Sequence, residues 1–589
     1  MKKLEALKVA KTKPDLAHLL GVKPSFLTYV LYVLKPETQY HSFDIAKRSG
    51  GFRTISAPSD SLKSLQSCLS ILLQDCMDEL IAEEKSENRH FSHTLSHGFE
   101  RNRSIITNAL SHIRKKNILN IDLKDFFGSF NFGRVRGFFI KNRNFLLEPE
   151  IATVISQISC YNDKLPQGSP SSPIITNLIT HAMDIRLAKI AKKNSCSYSR
   201  YADDITISTR KKIFPEKIMR QCGDNYIPGK KFLKEIKKSG FEINSQKTRI
   251  IYQDSRQEIT GLVSNRKPNV KCDYWRLVRA QCHKLFTTGS FTECVNGVEV
   301  EGNINRLEGK LNFIDQLDYF NRLRKEEKLN PHYVQKKGEV RNNIFLSSRE
   351  KNFGRFLYYR AFFANEMPTI MYEGKTDYIY LLSAIKNLHL HYPLLVRKKE
   401  DKYETLVTFF KYTHRTRFFL NLSGGASFLT TFINDLKDNH NHYSDNGFTP
   451  KPVIIIMDND HGFENVPKKL KNIGATIYPS TTKKGEYRLA EFIHIYKNFY
   501  LVLTPALSDG KHSAIEDLFD SSTRNRKVRN KTFNPGDKID KEKEYGKNIF
   551  ANEVVKPNRN KIDFSGFRPL LDRIAACIDH HEKEKQAHS

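Results

Sequence analysis

Apolar and polar positions follow two different rhythms along this chain. Ile151, Val154, Ile155 and Ile158 recur at i, i+3, i+4 and i+7, which predicts an amphipathic helix starting near Pro149. Residues 118–123 are a short apolar run that predicts a strand, and residues 198–208 predict a hairpin tipped with acids. Between Asn321 and Asn343 the pattern dissolves into charge and Pro331, the mark of a linker. A second α/β pattern opens at Pro368-Thr369-Ile370-Met371-Tyr372 and passes through the buried-strand run Val453-Ile454-Ile455-Ile456-Met457. From Arg524 onward the chain is highly charged. Ile549-Phe550, Val554-Val555 and the stretch 564–578 still offer apolar anchors, so this segment should pack on the second domain. No repeat at solenoid spacing is present.

The 589 residues allow about four domain-sized units and rule out a disulfide-stapled miniprotein. Lys plus Arg is 96 against 65 Asp plus Glu, a formal excess of +31. With 39% hydrophobic residues the composition is globular, so disorder does not explain that excess. A basic, folded, aromatic-rich chain points to a polyanion, most simply nucleic acid. The nine cysteines form no CxxC pair, and Cys272, Cys282 and His283 have no fourth ligand nearby, so reduced thiols are expected. The start is charged before any apolar stretch develops, and the longest apolar runs are strand-sized. A cytoplasmic protein without a membrane partner is expected.

Candidate chemistry begins with three carboxylates. Asp122 ends the first predicted strand, in Ile121-Asp122-Leu123-Lys124-Asp125-Phe126-Phe127, and Asp203 and Asp204 sit at the hairpin tip. Adjacent carboxylates repel by about 4 kcal/mol per pair at 4 Å and an effective dielectric near 20. A multivalent cation between them removes that cost, and two ions flanking a phosphate are the basis of metal-assisted phosphoryl transfer. Solvated acidic turns would account for either segment alone. Between them stands Leu165-Pro166-Gln167-Gly168-Ser169-Pro170-Ser171-Ser172-Pro173, a loop feeding a helix and able to present backbone and small side chains to a flat partner.

This ordered set resembles motifs A, B and C of reverse transcriptases. Gly240-Phe241-Glu242-Ile243-Asn244-Ser245-Gln246-Lys247-Thr248 is similar to the segment whose Lys faces the leaving pyrophosphate. Gly50-Gly51-Phe52-Arg53-Thr54-Ile55 is similar to the fingers segment whose Arg meets the incoming triphosphate. Asn108-Ala109-Leu110-Ser111-His112 matches the NAxxH pattern of retron reverse transcriptases, and Ile259-Thr260-Gly261-Leu262 resembles their VTG element. The resemblance implies an α+β right-hand polymerase of fingers, palm and thumb over residues 1–320. Asp122, Asp203 and Asp204 would hold two Mg²⁺ ions, with Mn²⁺ as a substitute. Phe127 would gate the sugar, Gln167 would contact the templating pair, and Lys247 would act at the pyrophosphate of a dNTP. Arg53, Asn108 and His112 would contact substrate. Basic helices after Lys271, with Arg276, Arg279, Lys284, Tyr274 and Trp275, would form the thumb. The implied partners are a cognate structured non-coding RNA, serving as template and 2′-hydroxyl primer, and its branched multicopy single-stranded DNA (msDNA). A homo-oligomer is compatible with the sequence.

A second acidic set follows the charged segment 321–365. Tyr372-Glu373-Gly374 follows one short strand, Asn421-Leu422-Ser423-Gly424-Gly425 suggests another, and Asp458-Asn459-Asp460 ends the 453–457 run. In a parallel sheet the carboxyl ends share one rim, so Glu373, Asp458 and Asp460 can converge there. This combination resembles the Toprim domain, an α/β unit with a mainly parallel sheet, over residues 366–525. Residues 526–589 would be a basic extension packed on it. Ser513-Ala514-Ile515-Glu516-Asp517 looks like the later acidic motif of Toprim nucleases related to overcoming-lysogenization-defect proteins, making Glu516 a fourth ligand for one or two Mg²⁺. Gly546-Lys547 is similar to their late Lys-bearing segment. The resemblance implies a retron polymerase fused to a nucleic-acid-cutting effector of antiphage defence. The alternatives are a group II intron or other reverse transcriptase without a defence role, or an RNA-binding protein with an inactive Toprim domain.

Overall fold

The computed structural model describes residues 2–588 except 48–49, 87–94, 224, 296, 326–345, 401, 445–449, 484, 507–511 and 537. The chain divides into two compact units, Met1–Lys271 and Cys272–Ser589. Among the described residues no single helix is long and apolar enough to cross a membrane, and all nine cysteines are free thiols.

The first unit is built around a four-stranded antiparallel sheet in the order Cys196–Tyr201, Asp204–Thr209, Asn117–Asp122 and Arg249–Tyr252. Its apolar residues Leu119, Ile121, Ile205 and Ile207 join one core with the helices Asp60–Ser86, Pro149–Ser159 and Ser172–Lys193. The 149–159 helix starts at the expected proline and buries Ile151, Val154, Ile155 and Ile158. Two N-terminal helices, Lys3–Val9 and Lys13–Leu20, pack on the long 60–86 helix. The second of them, Lys13–Leu20, opens with a Thr12/Asp15 capping box and closes on Gly21 at φ 70°. An exposed two-stranded hairpin, Tyr40–Ala46 with Phe52–Pro58, carries Arg53 opposite Ile45.

The second unit holds a six-stranded sheet in the order Thr408–Phe409, Thr369–Met371, Val453–Met457, Phe499–Leu503, Phe492–Tyr496 and Thr476–Tyr478. The first three pairings are parallel and the last two antiparallel. The C-terminal helix Arg568–His588 lays Leu570, Leu571, Ile574 and Cys577 into the same core as Ile370, Ile454, Tyr500 and Val502.

Three sequence expectations are corrected. The division falls at 271/272, not at 320, because the helix Cys272–Thr288 packs with the later chain: Phe286 lies 5.7 Å from the ring of Tyr359 and 5.3 Å from that of Tyr443. Of the expected linker 321–365, residues 326–345 lie outside the described residues. The remainder is structured: Ser348–Tyr358 starts from a Ser347/Glu350 capping box and buries Phe353, Phe356 and Tyr358. Residues 421–425 are not a strand. The helix His414–Leu420 ends there on Asn421 at φ 54°, and the glycine turn leads directly into the helix Ala426–Asn434. Apolar residues in a stretch this short fit either element, and the Thr413/Thr416 capping box decides for helix.

Candidate active sites

Sheet register brings the first three carboxylates together. Asp122 pairs across the strands with Asp204, and the Leu123 N–H donates to the Asp203 carbonyl at 3.1 Å. The turn between the two neighbouring strands is sharp, with Ala202 at φ 54°. On the other side of Asp122, Asn244 N–H donates to its carbonyl at 2.9 Å, and Asn244 Nδ2 and Lys247 Nζ donate to its carboxylate at 2.9 and 3.0 Å. The surrounding protein raises the Asp203 pKa, with Asp122 adding to the effect. Burial pushes Asp204 up to about 7, and the charges of Asp203 and Asp122 work in the same direction.

A cleft of about 970 Å³ opens over this corner. Arg53, Phe127, Gln167 and Lys247 line it with Asp122 and Asp203, so six of the expected site residues share one cavity; Asp204 lines a smaller neighbouring one. Phe127 packs edge-on against Phe126 at 5.5 Å and Phe99 at 6.2 Å, which fixes its ring on the cleft wall. Gln167 is held by its backbone, whose carbonyl accepts from Ser56 N–H at 2.8 Å. Gly168 makes that approach feasible: it has φ 127°, and a Cβ there would lie 2.6 Å from the Ser56 carbonyl oxygen.

Asn108 and His112, expected to touch substrate, do not. Both are fully buried behind the sheet. His112 bridges Ser208 and Ser199 through its two ring nitrogens at 2.6 and 2.7 Å, and Ser199 Oγ donates to Asn108 Oδ1 at 2.6 Å. Asn108 Nδ2 in turn approaches Thr260 Oγ1 at 3.5 Å, which joins the two short retron motifs in one internal network. Burial drives the His112 pKa down to about 3, so it is a neutral strut.

The sequence reading also missed a support beneath the acidic turn. Arg200 is fully buried and paired with Asp184 through two contacts of 2.8 Å; its third nitrogen donates to the Ala202 carbonyl at 2.9 Å. Tyr198 Oη donates to the same Asp184 at 2.7 Å. Breaking such a buried pair costs about 3–5 kcal/mol. The available signal was Asp184 itself, a charge on the helix face that buries Leu187 and Ala191.

A model of the family described as reverse transcriptase (RNA-dependent DNA polymerase) matches residues 45–271. The retron Ec86 reverse transcriptase of Escherichia coli is 32% identical over 317 residues, covering 52% of this chain and 87% of that protein. The chain belongs to the retron reverse transcriptases. The Myxococcus xanthus Mx162 retron reverse transcriptase is also 32% identical, over 42% of this chain and 52% of its own length. The Mx65 retron reverse transcriptase of the same organism is 28% identical over 53% and 70%. The chain is therefore a reverse transcriptase, an RNA-directed DNA polymerase, and the residues lining the 970 Å³ cleft, from Ile45 to Lys247, fall within the matched segment.

In this retron reverse transcriptase's second unit, another acidic cluster stands at the carboxyl ends of the parallel strands. Glu373 follows Thr369–Met371 and accepts from Asp458 N–H at 3.2 Å; Asp458 follows Val453–Met457 and accepts from Ile515 N–H at 2.9 Å. Asp460 is turned to its own loop, accepting from Gly462 N–H at 2.7 Å. Glu516 lies buried beside them, with Lys547 Nζ 3.1 Å from Oε2, and Oε1 is buried with no hydrogen-bond partner. Asp377, which was not singled out as a candidate, is buried in the same cluster. Burial first, then neighbouring carboxylates, raises Asp458 to about 8 and Asp377 to about 7. Gly424 closes the site from behind, since a Cβ there would sit 2.9 Å from the Glu373 carbonyl oxygen.

Among the described residues no three His, Cys, Asp or Glu side chains stand gathered closely enough to hold a metal ion as they are. Five of the seven carboxylates expected as ligands are instead turned to local donors: Asp122 to Lys247, Glu373 to the Asp458 N–H, Asp458 to the Ile515 N–H, Asp460 to the Gly462 N–H and Glu516 to Lys547. The residues nonetheless fit a divalent cation: both clusters offer hard oxygen donors, crowding and burial raise several of their pKa values, and Glu516 Oε1 is buried and unsatisfied.

Proposed function

We propose that this reverse transcriptase copies a structured non-coding RNA into msDNA joined to that RNA, and that its second unit is a Toprim-type nuclease effector of antiphage defence. The observation that supports the first part is the meeting of Asp122, Asp203, Arg53, Phe127, Gln167 and Lys247 in one cleft within a retron-type chain. Asp122, Asp203 and Asp204 would hold Mg²⁺, which when bound supplies charge neutralisation at the transferred phosphate and acidifies the primer hydroxyl. Arg53, on the exposed hairpin, places positive charge at the cleft mouth for the triphosphate of a dNTP. Lys247 leaves Asp122 as substrate charge enters and offers its ammonium to the departing pyrophosphate. Phe127 presents a ring where a ribose 2′-hydroxyl would project. A supporting strut of Arg200 and Asp184 keeps the two-acid turn from yielding to its own repulsion.

The nuclease reading is supported by Glu373, Asp458 and Glu516 converging on one sheet rim with Lys547, an acid-plus-lysine set suited to Mg²⁺-dependent phosphodiester hydrolysis. Its site is formed wholly within the second unit, so Glu373→Ala and Asp458→Ala should leave DNA synthesis at the wild-type level while abolishing phage protection. The test is to express each variant beside the cognate RNA and score msDNA and protection separately. Full protection without Glu373 and Asp458 would contradict the effector role.

A further inference from the structure

The N-terminal face of the first unit carries a feature the polymerase cleft does not use. The helix Pro24–Thr28 widens into a π turn over Tyr29–Val33, a geometry frequent at functional sites. Val30 and Leu31 of that turn are buried, whereas Tyr29, Tyr32 and Val33 are 46%, 51% and 65% exposed. Two large rings three residues apart are thus shown to water, each with a face of the kind that stacks on planar partners. The next basic residue, Lys35, sits at φ 54°, a left-handed conformation unusual for a side chain larger than glycine. Lys13 Nζ lies 5.8 Å over the Tyr32 ring. Residues 2–35 hold seven lysines against two carboxylates; Lys2 and Lys13 are paired with Glu83 and Glu150, and Lys35 lines a groove.

That groove, of about 550 Å³, is lined by Tyr32, Lys35, Phe132, Gln157 and Asn162 together with the carboxylates of Glu37 and Asp163. Asp163 is committed locally, accepting from Phe132 N–H at 3.2 Å. The amides of Gln157 and Asn162 each offer donors and acceptors of the kind that read base edges. The groove is tied to the polymerase loop by direct contacts. Tyr161, between Cys160 and Asn162 of the groove wall, stacks on Tyr40 with centroids 4.3 Å apart. Tyr40 Oη accepts from Gln66 at 2.7 Å, and Gln66 Oε1 accepts from Ser169 at 2.9 Å, two residues past Gln167 of the cleft.

We infer that this groove binds single-stranded RNA, as the track of unpaired template bound for the polymerase cleft. Exposed rings stack only on bases that are not paired, lysines meet phosphates, and amides meet base edges. A lipid surface would need neither the amides nor the groove. The inference rests on the reverse transcriptase reading for the identity of the strand, but its test is read by binding, without catalysis.

The experiment uses the full chain and DNA primers annealed to labelled RNA templates with short or long unpaired 5′ tails, followed by fluorescence anisotropy. The wild type should bind the long-tailed hybrid more tightly than the short-tailed one. Tyr29→Ala/Tyr32→Ala should weaken long-tail binding about tenfold, from the loss of base stacking, and leave short-tail binding and short-tail dNTP incorporation intact. Lys35→Ala should reduce the salt dependence of long-tail binding. Equal long-tail affinity in wild type and double variant would overturn the inference. So would a double variant whose only change is weaker binding to anionic phospholipid vesicles or altered self-association in sedimentation. Absent incorporation by the wild type, with the tail-dependent affinity intact, would count against the polymerase reading and not against the groove.

Discussion

In the proposed polymerase site, Phe127 would decide the choice of sugar with a single ring. Its edge-on contacts with Phe126 and Phe99 leave it little freedom to retreat, so a ribose 2′-hydroxyl arriving at the cleft wall meets fixed carbon. Phe127→Ala should keep the carboxylates and DNA synthesis while admitting ribonucleotides, lowering discrimination by about tenfold or more, since each 1.36 kcal/mol of lost transition-state preference is a factor of ten. Competition between dNTP and rNTP on one primer measures it; unchanged discrimination would assign the gate elsewhere. His112 makes a different prediction. Its pKa is held near 3 by burial, below the usual 6.5, so the unfolded chain binds the extra proton first as pH falls. His112 therefore contributes stability above about pH 6.5 that is lost progressively towards pH 3. Buried carboxylates with raised pKa values, such as Asp204 and Asp377, push the other way. The quantity to read is thus the difference between wild type and His112→Asn in thermal unfolding. That difference should shrink as the pH is lowered through 6, and a constant one would contradict the neutral-strut role.

At the scale of elements, the chain's patterning was legible where one rhythm ran long enough. The 149–159 helix, the strands ending at Asp122 and Met457, and the hairpin around Asp203 all form where apolar spacing places them. Residues 421–425 misled because a short apolar run before glycines suits a strand or a helix end equally, and the deciding capping residues lay upstream. Asn108 and His112 misled for another reason: the motif match marks the two residues without saying whether they face the cleft or the interior, and both are buried. Asp377 joined the second cluster through packing between distant segments, which no local pattern encodes, whereas Lys547 lies in the segment the resemblance had marked. The Gly168 loop offers a test of element contact. Gly168→Ala would drive a Cβ to 2.6 Å from the Ser56 carbonyl and force a left-handed backbone on alanine. The exposed Phe52–Pro58 strand and the Gln167 loop should separate, and the KM for dNTP should rise about tenfold while RNA binding persists. Steady-state kinetics decides this, and unaltered KM would show that the contact does not position Gln167.

The whole molecule joins two acidic sites built by different means. Cross-strand register in an antiparallel sheet gathers the polymerase carboxylates, and the shared rim of parallel strands gathers the second set. Both rely on basic supports, the fully buried Arg200 with Asp184 in one and the half-buried Lys547 with buried Glu516 in the other, to tolerate acids that repel one another. The excess of +31 suits the chain to a nucleic-acid partner despite these acidic centres. The sequence motifs exposed the acids and Lys547; the Arg200–Asp184 support and the boundary at 271/272 emerged only when distant segments packed. In the proposed function, Asp122, Asp203 and Asp204 make DNA on an RNA the protein itself holds. The most direct measurement is to purify wild type and Asp203→Ala from cells carrying the cognate RNA and to sequence the bound nucleic acid, with and without ribonuclease. The account predicts RNA in both preparations and RNA-linked single-stranded DNA in the wild type alone. DNA of the same sequence and amount bound to Asp203→Ala would contradict it.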